Sequence, residues 1–172
     1  MSADAVAAAA SATVNISNQS KGYKITRRIL YDDQSKRLEQ PMPVAYGEKR
    51  VDSVHGAHGT LLYHISAENG ETGHLELYIL VGWDWEYSTF YFGLVECEGG
   101  DQAVWRTPHE FYGWFDRSSE KLLVNEQKNM LCWSVFDADR FALSVAFSGE
   151  SATIDILIGD TTQHVTSRPL EL

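Results

Sequence analysis

Two groups of residues in this 172-residue chain carry side chains suited to chemistry or recognition. The first is histidine. His55, His58 and His64 fall within ten residues of one another, and strand histidines at such spacing can share a zinc ion. No carboxylate joins them at a recognised ligand spacing. They are read as structural or surface residues, and no metal is expected. His109 beside Glu110 has the make-up of an acid–base pair, but a helix-edge histidine facing solvent or rings accounts for it better. There is no Gly-rich phosphate loop and no Gly-x-Ser-x-Gly elbow. With 24 Asp and Glu residues, chance carboxylate pairs are common, so no glycosidase pair can be argued. The chain is read as not an enzyme, with no cofactor.

The second group is aromatic. Rings make up 12% of the chain, and many crowd into residues 83–115, chiefly Trp83-Asp84-Trp85-Glu86-Tyr87 and Phe111-Tyr112-Gly113-Trp114-Phe115. In an extended backbone Trp83, Trp85 and Tyr87 share one face, and Asp84 and Glu86 share the other. Rings placed after a strand can stack on sugars, enter a lipid interface or hold a quaternary ammonium by cation–π attraction. The expectation is a binding edge for a zwitterionic lipid headgroup or a glycan. Tryptophan as core filling is the competing reading for each ring taken singly.

Charge narrows the partners. A net charge of −10 repels nucleic-acid phosphates and lacks broad attraction to anionic lipid. No nucleic-acid partner is expected. A neutral or zwitterionic membrane surface remains open, as does assembly of copies of the chain into a homo-oligomer. Cys97 and Cys132 are too few for a disulfide framework and are read as buried thiols. The opening residues read as a poor signal peptide, and no 18-residue apolar run is present in the sequence. The protein is expected to be soluble, and cytoplasmic or released without a recognisable leader.

The elements that must position these residues are mostly strands. Residues 13–17 alternate in polarity, 23–31 form a second candidate with Ile25 and Ile29 inward, and further strands are read at 61–66, 74–81, 88–96, 130–135, 141–147 and 153–158. Gly82 is expected to end its strand, so that the rings from Trp83 onward lie on a loop. Residues 108–115 read as a short helix opening at proline. The fold class is all-β in the main, a β-sandwich of about ten strands with one or two short flanking helices. Residues 1–12 are an Ala-rich tail or short helix, and residues 13–172 one sandwich domain.

The order of features resembles the actinoporin-like superfamily, which includes sea-anemone cytolysins and fungal fruit-body lectins. The resemblance is carried by Val14-Asn15-Ile16-Ser17-Asn18-Gln19-Ser20-Lys21, by His58-Gly59-Thr60-Leu61-Leu62-Tyr63, by Val81-Gly82-Trp83-Asp84-Trp85-Glu86-Tyr87-Ser88, and by the hairpin from Gly149 to Ile158. It implies a phosphocholine or sphingomyelin-type site at Val81, Trp83, Trp85, Tyr87, Tyr112 and Trp114. Gly82 stands where that pocket has proline. The resemblance also implies toxin-like membrane binding. Pore formation is expected to be weak or absent, because the short Ala-rich opening replaces a long amphipathic helix. A lectin on the same sandwich is the alternative.

Overall fold

The computed structural model describes residues 11–32, 35–38, 42–69, 75–84, 89–98, 105, 107–118, 123–124, 130–135, 141–148, 153–159 and 170–171. Twelve strands and one α-helix are found among them. The strands are β1 (Ser11–Gln19), β2 (Tyr23–Tyr31), β3 (Lys36–Leu38), β4 (Lys49–His55), β5 (His58–Ala67), β6 (Leu75–Asp84), β7 (Thr89–Glu98), β8 (Leu123–Val124), β9 (Met130–Val135), β10 (Phe141–Ser148), β11 (Thr153–Gly159) and β12 (Leu170–Glu171). The helix is α1 (Pro108–Ser118).

The clean alternation in β1 and β11 sets the first layer. Ala12, Val14 and Ile16 of β1 and Ile154, Ile156 and Ile158 of β11 are buried, and the residues between them are not. Side chains of a strand alternate between faces, so each of these strands buries one face only. They sit side by side, in parallel, in a five-stranded sheet ordered β4-β1-β11-β10-β9. The second sheet runs β12-β7-β6-β5-β2-β3, with β8 paired to β7.

The two sheets pack face to face. Ile25, Leu61, Tyr63, Ile79, Val81, Trp83, Phe92 and Leu94 of the second sheet meet Val14, Ile16, Ile154 and Ile156 of the first in one core. The second sheet is buried on its other face too. There Tyr31, Leu62, Tyr78, Leu80 and Val95 pack with Phe111 and Trp114 of α1. The order is sheet, sheet, helix: a β-sandwich with a helix across one outer face.

A bulge in β2 lets one strand feed both cores. The pairing of β2 with β5 shifts between Ile25 and Arg27, and an extra residue reverses the facing of everything after it. Ile25 therefore enters the core between the sheets, whereas Ile29 and Tyr31 enter the core under the helix. Ile25 and Ile29 are both inward as expected, but toward different layers.

Turn chemistry fixes the ends. Asn18 is fully buried. Its amide Nδ2 donates to Tyr23 O at 2.7 Å and Val44 O at 2.8 Å, and its Oδ1 accepts from Ser20 N at 2.8 Å. One side chain thus ties β1, β2 and the segment before β4 together.

The helix begins at a capped proline. Thr107 Oγ1 accepts the backbone N–H of Glu110 at 3.2 Å, Pro108 occupies the first helical position, and Arg117 lies in the last turn. Phe111, Trp114 and Phe115 follow at helical spacing and face the sheet. Replacing a capping threonine by alanine typically costs about 1 kcal/mol. Thr107→Ala is accordingly expected to lower the thermal midpoint by roughly 2–4 °C, measured by circular dichroism.

Candidate functional site

Strand β6 runs three residues further than its sequence suggests. Gly82, Trp83 and Asp84 remain paired to both neighbours, Trp83 opposite Gly59 in β5 and opposite Phe90 in β7. Gly82 does not end the strand, because the ring of Tyr91 occupies the space over it. A Cβ on Gly82 would lie 3.2 Å from Tyr91 Cδ2.

This extension decides where the expected ligand contacts go. Trp83 is 2% exposed and Val81 fully buried, both in the core between the sheets. The indole Nε1–H of Trp83 donates to Gly56 O at 3.3 Å. Its ring lies against Gly59 so closely that a Cβ there would meet Cζ2 at 2.6 Å. Neither side chain can line a surface pocket, which corrects their expected role. The loop assignment placed the ring outward, and one continued strand with unchanged alternation turns it inward. Trp85 and Tyr87 lie outside the described residues.

Tyr112 and Trp114 belong to the other layer. Trp114 is buried in the helix-side core, and Tyr112 packs half-buried at its margin with its hydroxyl oxygen buried. The second sheet separates them from Trp83. The described residues therefore bring Tyr112 and Trp114 together, and Val81 and Trp83 together, but not the four into one pocket.

Residues that the sequence did not single out complete the helix-side group. Tyr31 stacks on Phe111 at 4.5 Å between ring centroids. Trp105 meets Phe111 at 5.1 Å and Trp114 at 4.6 Å. Its carbonyl accepts from Tyr31 Oη at 2.8 Å and Lys36 Nζ at 2.7 Å. At the end of the layer, half-buried Tyr91 meets Phe115 edge-on, 5.0 Å apart and at 89°. The half-buried Asp84 lies at this end of β6. Burial first, then the Asp84 charge, raises the Tyr91 phenol above its ordinary value. Tyr91 and Phe115 thus meet edge-on near the end of β6, where the Asp84 charge acts on the Tyr91 phenol. The signal for Tyr91 was its pairing opposite Gly82, which appears only once the register is known.

A second feature lies on the outer face of the five-stranded sheet. Val51, Asn15 and Asp155 form one row across β4, β1 and β11, and Lys49, Ser17 and Leu157 form the next. The short central residues leave a shallow trough of about 310 Å³. Asn15 Nδ2 donates to Asp155 Oδ1 at 2.8 Å, and the aliphatic Val51 and Leu157 are 66% and 43% exposed.

The buried charges are elsewhere. Asp52 points between the sheets, where it accepts from Arg50 Nε at 2.7 Å and from the Tyr63 hydroxyl at 3.2 Å, with Arg28 Nη1 at 3.9 Å. Burial, then the Asp52 charge, pushes the Tyr63 phenol well above its ordinary value.

The histidines are dispersed. His55 and His58 are exposed at the crossover between β4 and β5, and His64 is half-buried against Tyr78 with Thr26 Oγ1 at 2.9 Å from its Nδ1. His109 and Glu110 are exposed in the first turn of α1. Among the described residues no three His, Cys, Asp or Glu side chains form a metal-sized group. Cys97 lies in β7 and Cys132 in β9, in different sheets. No helix among the described residues is long and apolar enough to cross a membrane. No protein-family model matches the chain, and no curated protein matches it either.

Proposed function

We propose that this protein binds, without catalysis, a membrane-lipid headgroup of phosphocholine type such as that of sphingomyelin. The headgroup's ammonium rests at the corner formed by Asp84, Tyr91 and Phe115. The observation that supports this reading is the edge-on contact of half-buried Tyr91 and Phe115 near the strand end that carries Asp84. A quaternary ammonium cannot donate a hydrogen bond, so it is held by ring faces and by opposite charge. Trp85 and Tyr87 lie within three residues of Asp84 in the chain and are proposed as further contacts; Tyr112 and Trp114 pack on Phe111 in the same helix-side layer.

Co-sedimentation with sphingomyelin-containing vesicles tests this reading. Ring and charge contacts of roughly 0.5–2 kcal/mol correspond to about 2- to 30-fold in affinity. Asp84→Asn and Tyr91→Leu are each expected to weaken vesicle binding by an amount in that range, with thermal midpoints recorded alongside. Wild-type protein that ignores such vesicles sinks the reading.

The trough on the five-stranded sheet favours a second reading, glycan binding. The Asn15–Asp155 pair can bridge adjacent hydroxyls while Val51 and Leu157 lie along the C–H face of a sugar. A glycan-array signal lost in Asp155→Ala, without vesicle binding, selects it.

A further inference from the structure

We propose that Trp83 is a positioning residue for the headgroup corner, acting from the core on a surface it does not touch. This inference rests on the lipid-headgroup reading above. Trp83 is the residue before Asp84, and its side chain points to the opposite face of the sheet. Two contacts fix it from below. Its ring fills the space over Gly59, its partner across the β5–β6 pair, and its Nε1–H donates to Gly56 O.

Gly56 belongs to the two-residue crossover that carries the chain from the first sheet to the second, and its φ is +120°, a value that glycine tolerates and other residues rarely adopt. The crossover is thus in a defined conformation when its carbonyl receives the indole proton. The bond locks the last rungs of β6 to β5 and to the crossover at once. His58 pairs with Asp84 on the very next rung. The carboxylate that meets the ammonium is therefore held at the end of a strand pinned one residue earlier. A corner with its carboxylate already in place binds more tightly than one that must be ordered on contact. Burying an indole over a glycine would satisfy packing alone. The directed N–H bond adds an orientation that a phenyl ring cannot supply.

Trp83→Phe keeps an aromatic ring in the core but removes the donor together with the part of the indole that lies over Gly59. Sphingomyelin-vesicle binding is expected to weaken about 3- to 10-fold, the range of one ordinary hydrogen bond. Amide hydrogen exchange on the free protein supplies the second readout. The amides of Trp83, Asp84 and Tyr91 are expected to exchange faster in Trp83→Phe, while those of β1 and β11 keep wild-type rates. Uniformly faster exchange across both sheets would mean that the residue only stabilises the fold, and would overturn the proposal. So would wild-type vesicle affinity in the variant. If wild-type protein fails to bind the vesicles, the headgroup reading falls, and the proposal, which needs that ligand, falls with it; local acceleration in Trp83→Phe would then report the strand-end lock alone.

Discussion

Replacing Asp52 by alanine is expected to remove about 3–5 kcal/mol of stability, the usual result of stranding buried charge. Arg28 and Arg50 face this carboxylate with only 13% and 16% of their side chains exposed. Without it, both guanidinium groups lose the buried carboxylate that faces them. For a chain of this size the thermal midpoint should fall by roughly 6–20 °C, read by calorimetry. The loss comes from stranding rather than from any large net value of the ion pairs. Changing all three residues together, Arg28→Met, Asp52→Leu and Arg50→Met, should then recover most of it. A loss below about 1 kcal/mol for Asp52→Ala would mean that water enters and solvates both arginines.

The same cluster sets an alkaline limit. Tyr63 donates to Asp52 from full burial, and burial and the neighbouring carboxylate both disfavour its phenolate. The folded-state pKa therefore lies above the ordinary value of 10.0. A raised pKa gives stability that is complete below the unfolded value. As pH climbs from there toward the folded value, the unfolded chain loses its proton while the folded one keeps it, and stability falls. Urea unfolding above about pH 10 should show this decline. Tyr63→Phe should flatten that part of the curve, at a cost near neutral pH of about 1 kcal/mol for the lost hydrogen bond.

Legibility in the sequence followed burial. β1 and β11 bury one face, and their alternating Val14/Ile16 and Ile154/Ile156/Ile158 announced them. In β5 and β6 the helix covers the second face, so Leu61-Leu62-Tyr63 and Tyr78-Ile79-Leu80-Val81 are continuously apolar and carry no facing information. β4 was not anticipated, because its core positions are Asp52 and Val54 and its exposed ones include Val51, which inverts the expected polarity. The inward facing of Trp83 was hidden for a related reason. Gly82 reads as a stop when the ring that covers it comes from Tyr91, and that contact requires the β6–β7 register. Tyr112 and Trp114 share one helix, so their relative placement is local. Asp84 and Tyr91 come together only through pairing between strands.

The contact between Trp83 and Gly59 gives the sharpest test of the inward assignment. A fully buried tryptophan replaced by alanine leaves a cavity and loses its transfer free energy, so Trp83→Ala should cost about 3–5 kcal/mol. An outward ring on a loop would cost a few tenths of that. Gly59→Ala approaches the same contact from the other strand. Its new methyl would stand 2.6 Å from Cζ2 and 2.8 Å from Cη2 of the indole, inside the limit that real carbon atoms observe. The ring is enclosed by the core and cannot swing clear, so the strand pair must shift, at about 1–3 kcal/mol. The two substitutions share one space and should not add. The Cζ2 and Cη2 atoms belong to the part of the indole that phenylalanine lacks. Gly59→Ala should therefore cost much less in a Trp83→Phe background than in the wild type, a coupling of roughly 0.5–3 kcal/mol in a double-mutant cycle. Additive losses would place the indole away from Gly59. The headgroup site would then need Trp83 at its surface, and the proposed role of the Gly56 hydrogen bond would have no physical basis.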